Sequence, residues 1–216
     1  MHTRSILSLL SEASEHAVAA MPPPDPPYPP GPNHTSDEEG VSELRLDGLE
    51  SAGILAERLI SHCLARKERI VVAESCTAGL LGQTLSCCFG AATAFEGGFL
   101  TYTKEAKSQM LGVPRDLLRG CTAVHRRVAA SMAEGALARS PGTVSLSVTG
   151  VTGDAPDEDG NPIGRVIVGC ATAAATQTIH CEFGRLTPSA LNQLAVAAAL
   201  AFALRQLGDI SVSPAF

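Results

Sequence analysis

"VVAESCTAGLLGQTL", residues 71–85, passes from a β-branched apolar run into small hydroxyl and thiol residues and then into a second apolar run. A short buried strand handing over to a helix reads this way, with "RIVVA" (69–73) as the strand and "TAGLLGQTLSCCF" (77–89) as the helix. The junction admits two readings. In one, Ser75 or Thr77 caps the helix and the rest is turn. In the other, Ser75 is a nucleophile at a helix N-terminus, where free N–H groups stabilise an oxyanion or a phosphate. The junction is neither a GxxxxGK[ST] phosphate loop, which needs a lysine, nor a G-x-S-x-G elbow, since Ser75 is flanked by Ala73 and Thr77.

Outward from this stretch, helical and strand patterns alternate. "LESAGILAERLISHCLARKE" carries apolar residues at helical spacing. "FEGGFLTYT" (95–103) reads as a strand, "KEAKSQMLGV" as a helix stopped at Gly112, "PRDLLRG" as a helical turn, and "VHRRVAASMAEGALARS" (124–140) as a long helix. "TVSLSVTGV" (143–151) is a strand, and "GDAPDEDGNP" a loop. "IGRVIVGCATA" and "TQTIHCEFG" pair as a hairpin across Ala173 to Ala175, and "SALNQLAVAAALAFALRQL" closes the chain as an apolar helix. The expected fold is α/β, a three-layer α/β/α sandwich on a mixed β-sheet, because the last strands are joined too tightly to be parallel. The turns at 74–79, 102–107 and 149–154 are expected to converge at the strand ends.

Residues 22–32, "PPPDPPYPPGP", hold eight of the fourteen prolines and favour polyproline II over a packed core. The expectation is a disordered, proline-rich extension over 1–45 and one folded domain over 46–210. "SILSLLSEASEHAVAAM" is interrupted by Ser, Glu and His, unlike a secretory signal, and reads alternatively as a short amphipathic helix.

A net charge of −6 argues against a nucleic-acid binder, which needs a basic surface. A small phosphorylated ligand stays open, since one local cation or helix end holds it. The seven cysteines include no CxxC pair, so they read as small core residues in a reducing compartment rather than disulfide or zinc ligands. With no apolar run long enough to span a bilayer, the expectation is a cytoplasmic protein without membrane contact.

Two further clusters matter. Lys104 and Lys107 begin a helix, where the dipole disfavours cations. They are either two solvated surface lysines or include one desolvated amine able to take a proton from a serine. "SVTGVTG" places Thr149, Gly150 and Thr152 in a glycine turn. The acidic run after it lacks the calcium-loop spacing, so no metal site is expected. His125 reads as a cap or surface residue. His62 and His180 have no second ligand nearby in sequence.

Taken in order, "AESCTAGLL", "FEGGFLTYTKEAK", "LGV", "AVHRRVAASMAEGAL", "SVTGVTG", "PIGRV" and "QLAVAAAL" resemble the CinA C-terminal domain family, the nicotinamide-nucleotide amidases. The resemblance runs from about Leu49 to Leu207. It implies hydrolysis of nicotinamide mononucleotide to nicotinate mononucleotide and ammonia, with no metal or organic cofactor, by a homo-oligomer acting on a small nucleotide. The family's E-S-x-T-[GA]-G serine falls on Ser75, and the tyrosine and lysine of Y-[ST]-N-E-x-K fall on Tyr102 and Lys107. These imply Ser75 as nucleophile, Lys107 as base and Tyr102 as an orienting or relaying group. The expected substrate-binding set is Glu74, Thr77, Gly79, Thr149 and Gly150, joined by Lys104 and Arg185 as substitutes for charge the family carries elsewhere.

The chain departs from the family pattern at several points. Lys104 replaces the usual Asn, and His125 the usual Ser. The tail motif F-x-G-D-R-x-x-V-R reads "FGRLTPSALNQ", with Asn192 at the second arginine and Arg185 the one substitute nearby. Three functions therefore stay open: a nicotinamide-nucleotide amidase, an amidase of altered specificity, or a catalytically silent nucleotide-binding or regulatory module.

Overall fold

A computed structural model describes residues 51–209, so the proline-rich segment and the expectations placed on 1–45 lie outside the described residues. Helix α1 (Ala52–Arg66) is followed by strand β1 (Ile70–Glu74), short helices α2 (Leu80–Ser86) and α3 (Ala91–Ala94), and strand β2 (Phe95–Leu100). Helices α4 (Lys104–Leu111), α5 (Arg115–Gly120) and α6 (Arg126–Ala138) then lead to β3 (Val144–Gly150). The hairpin β4 (Arg165–Thr172) and β5 (Thr176–Glu182) and the last helix, α7 (Pro188–Gln206), complete the domain.

The five strands lie in the order β2-β1-β3-β4-β5. β1 pairs in parallel with both β2 and β3, whereas β3–β4 and β4–β5 are antiparallel. The sheet is therefore mixed, and helices cover both of its faces. β1 shows why. All five of its residues are buried, so both faces of this central strand must be apolar. Ile70 and Val72 join the core shared with α1 and α7, while Val71 and Ala73 join the one built with α4 and α6.

On β3 the same alternation takes a second form. Val144, Leu146 and Val148 enter the α1/α7 core. Ser145, Ser147 and Thr149 face the other way, and their hydroxyls donate to Ala133 O (2.6 Å), Ala129 O (2.7 Å) and Ala123 O (3.0 Å). These bonds satisfy buried hydroxyls and bring α6 and the segment before it against the sheet. A Cβ on Gly169 of β4 would stand 2.5 Å from Ser147 Oγ and 2.8 Å from Ala129 O, so only glycine fits beneath the helix there.

The helix expected over 77–89 is shorter and broken. Residues 77–79 form a turn, α2 begins at Leu80, and the chain breaks again at Gly90 (φ 87°) before α3. Thr77 is not the cap. Glu74 takes that role: its carboxylate accepts from the amides of Gly79 (2.9 Å), Leu81 (3.1 Å) and Gly82 (2.8 Å) and from the Thr77 hydroxyl (2.7 Å). A buried anion at the positive end of a helix is favoured by the dipole as well as by the bonds.

Candidate active site

Three parallel strands, β2, β1 and β3, end at the same edge of the sheet. The segments that follow them therefore emerge side by side: Ser75 after β1, Thr101–Lys107 after β2, and Val151–Gly153 after β3. They line a cavity of about 560 Å³, completed by Ala123, Val124 and the loop residues Ala155, Asp157, Glu158 and Asp159.

Ser75 is clamped at the end of β1. Its amide donates to Val148 O of β3 (3.0 Å), while Glu74 O accepts from Thr101 N beyond β2 (2.8 Å). The turn after it uses two successive positive φ angles, at Ala78 (47°) and Gly79 (103°). A left-handed alanine costs on the order of 1 kcal/mol, held here by Ala78 N donating to Ser75 O and Gly79 N donating to Glu74. The Thr152 hydroxyl donates to Cys76 O (3.3 Å) and ties the turn to the segment after β3.

Lys107 enters from the first turn of α4, whose start is capped by Thr103 accepting from Ala106 N. The residue is only 1% exposed. Its Nζ lies 2.8 Å from Ser75 Oγ, 2.9 Å from Thr101 O and 3.3 Å from Tyr102 O. Burial, reinforced by the Lys104 charge and opposed by the Cys76 thiol, lowers its pKa from 10.5 to about 8. A minority of the amine, about a fifth at pH 7.4, is thus neutral, against far less than one part in a hundred for an unperturbed lysine. A neutral amine donates two protons to the two carbonyls and turns its lone pair to the serine hydroxyl. Cys76, beside Ser75, is the reverse case: burial pushes its thiol up to about 12, leaving it a poor nucleophile.

The other expected residues divide. Lys104, Thr149 and Gly150 line the cavity, but Thr149 is bonded to Ala123 O and Lys104 is paired with Asp159 (2.8 Å) and Glu158 (3.1 Å). Those pairings hold the Lys104 ammonium above its usual range, against the partial burial that pulls it down. Tyr102 lines the cavity as a residue that is 75% exposed, and it reaches the dyad through its main-chain carbonyl. Glu74, Thr77 and Gly79 do not line the cavity, because the Glu74 carboxylate is turned into the start of α2 and holds the other two. Arg185 sits on the exposed loop between β5 and α7 and is not among the residues that line the cavity.

Sequence reasoning passed over Thr101, whose carbonyl has no sequence signature, and Asp157, Glu158 and Asp159, which it weighed only against a calcium-loop pattern. His125 is the N-cap of α6, its ring nitrogen accepting from Arg127 N. Among the described residues no group of three His, Cys, Asp or Glu side chains is placed to hold a metal, and no helix is long and apolar enough to cross a membrane.

Fold and site define a class: an α/β domain with a buried serine–lysine pair where parallel strands end. The model of the CinA C-terminal domain matches residues 53–207, and the chain belongs to that family. It is 37% identical over 131 residues to a CinA-like protein of Chlorobaculum tepidum, covering 61% of this chain and 31% of that protein. A CinA-like protein of Solibacter usitatus is 38% identical over 114 residues, 53% of this chain and 27% of the relative. The chain thus spans about a third of the length of the curated relatives it matches. Among solved structures, a competence-damaged protein (CinA) superfamily protein from Escherichia coli superposes with a TM-score of 0.71 at 30% identity, over 81% of this chain and 99% of that one. The competence/damage inducible protein CihA from Agrobacterium tumefaciens gives 0.69 at 31% identity, over 72% and 94%.

Proposed function

We propose that the chain is an amidohydrolase that converts nicotinamide mononucleotide to nicotinate mononucleotide and ammonia, with Ser75 as nucleophile and Lys107 as base. The observation that carries this reading is the 2.8 Å approach of a buried lysine, its pKa lowered to about 8, to a serine hydroxyl at the floor of a cavity.

In the first step Ser75 Oγ attacks the carboxamide carbon while the neutral Lys107 amine takes the hydroxyl proton. The carbonyl π electrons move to oxygen. The amide of Cys76, which follows the nucleophile and lines the cavity, is the proposed donor to that oxyanion. The Lys107 ammonium then gives its proton to the departing nitrogen, the C–N bond breaks, and ammonia leaves an acyl ester on Ser75. Water, deprotonated by the neutral Lys107, attacks the ester. The C–O bond to Ser75 breaks, the Lys107 ammonium returns its proton to Ser75 Oγ, and the carboxylic acid formed leaves as the carboxylate after giving its proton to solvent. Thr101 and Tyr102 carbonyls hold the amine in line throughout.

Ammonia release from nicotinamide mononucleotide by purified protein tests the reading. Saturable nucleotide binding by calorimetry with no ammonia would replace it with a silent binding module. Two further points belong to the proposal. Residues 46–210 form the catalytic domain, as the family match over 53–207 supports. The chain self-associates, as the exposed apolar side chains of Phe89, Leu100 and Tyr102 support. Light scattering showing a 22.3 kDa monomer across micromolar concentrations would overturn the latter.

A further inference from the structure

Four consecutive carbonyls run through the end of β1 and the turn after it, and each is held. Glu74 O accepts from Thr101 N (2.8 Å), Ser75 O from Ala78 N (3.2 Å) and Thr77 O from Leu80 N (3.0 Å). These three donors are main-chain amides. Cys76 O instead accepts from a side chain, the Thr152 hydroxyl, 3.3 Å away and 76 residues further along the chain.

Thr152 is itself a fixed point. Val151 N donates to Arg165 O (2.8 Å) and Val151 O accepts from Gly164 N (2.8 Å), which fastens the segment after β3 to the start of β4. Val151 is buried in the core, and Thr152 is 6% exposed at the wall of the cavity. A threonine hydroxyl has one hydrogen to give, and this one goes to the nucleophile turn.

The peptide planes show what the bond controls. The Cys76 amide shares a plane with Ser75 O, and the Cys76 carbonyl belongs to the next plane. The bonds to Ser75 O and Cys76 O therefore pin the planes on both sides of the Cys76 Cα. Two residues on, Ala78 takes a left-handed φ of 47°, which a non-glycine residue keeps only where its surroundings hold it. Without the Thr152 bond, the Cys76–Thr77 plane is free to turn toward relief of that strain and to carry the Cys76 N–H off its direction.

We propose that Thr152 is a positioning residue for the reaction: its hydroxyl, by holding the Cys76 carbonyl, keeps the Cys76 amide aimed at the oxygen on which charge develops. This rests on the amidase reading with Ser75 as nucleophile and adds the residue that preorganises its turn. The contribution belongs to the transition state, so its loss falls on kcat rather than KM.

The test measures ammonia release from nicotinamide mononucleotide by wild type, Thr152→Val, Thr152→Ala and Thr152→Ser, each checked by thermal unfolding. Thr152→Val keeps the shape and deletes the donor, and kcat should fall by about tenfold to a hundredfold with KM little changed. Thr152→Ser keeps the donor and should recover most of the loss. Thr152→Ala should match valine, and it carries the comparison with serine if valine unfolds the protein. The midpoint of the pH–rate profile should stay at the wild-type value, because Lys107 is untouched. Unchanged kcat in the folded valine and alanine variants overturns the proposal, as does an equal loss in the serine variant. A rise in KM alone would make Thr152 a substrate contact and overturn it too. Each of these results leaves the amidase standing, whereas no ammonia from wild type overturns both.

Discussion

Lys107 Nζ and Ser75 Oγ lie 2.8 Å apart across 32 residues of sequence, one delivered by the first turn of α4 and the other by the end of β1. In the proposed reaction the pair works as a unit, because a serine is a weak nucleophile without a base and the amine has no other hydroxyl among its bonded partners. Ser75→Ala and Lys107→Ala should each lower ammonia turnover by about a thousandfold or more, and the double variant should be little worse than either. Steady-state assays on variants with unchanged circular dichroism check this. Substantial turnover in folded Ser75→Ala would favour direct attack by water.

As the proposed base, Lys107 would act as the neutral amine, so the sign of the pH dependence follows. Turnover should rise with pH through about 8, the lowered value set first by burial. Below it, the rate should fall by about tenfold per pH unit as the ammonium fills. A pH–rate profile for kcat/KM between pH 6 and 10 reads this directly. A flat profile across that range would remove Lys107 as the base.

Glu74 should prove structural. Glu74 is 1% exposed, and its carboxylate receives four donors from α2 and the turn before it, three main-chain amides and the Thr77 hydroxyl. Glu74→Ala leaves those donors buried and unmatched, which costs about 3 kcal/mol or more. Glu74→Gln should fare little better, because its amide group presents hydrogens to donors. Urea unfolding measures both. Wild-type stability in Glu74→Gln would show that the cap is dispensable.

The position of Lys107 depends on how closely α4 approaches α6. A Cβ on Gly135 of α6 would collide with the main-chain carbonyl of Leu111 at the end of α4. Gly135→Ala must therefore push α4 away, and overpacking of this kind costs about 1–3 kcal/mol. Activity should fall further than stability accounts for, because the shift separates Lys107 from Ser75. Equal turnover per folded molecule would uncouple the helix contact from the dyad.

Much of the fold was legible in order and type because its signals are local. The buried run at 69–73, the hairpin across Ala173–Ala175 and the stop at Gly112 depend on neighbours close in sequence, and they stand within a residue or two of where they were expected. The helix after Ser75 was overextended because its start is set by Glu74. A glutamate that caps from five to eight residues upstream carries none of the Ser/Thr spacing by which caps are read.

The sequence by itself determined the residue types on which chemistry rests: a serine at a strand-to-helix junction, and two lysines at a helix start where the dipole does not want them. It could not say which lysine was desolvated. Tertiary structure decided that, by placing Lys107 under the ends of three parallel strands with two carbonyls and Ser75 around it, and by leaving Lys104 at the cavity against Glu158 and Asp159. The two side chains sit three residues apart on one helix and differ in little but direction. Burial and partner charge, which lower one pKa and raise the other, exist only once β1, β2, β3 and the acidic loop have been brought together.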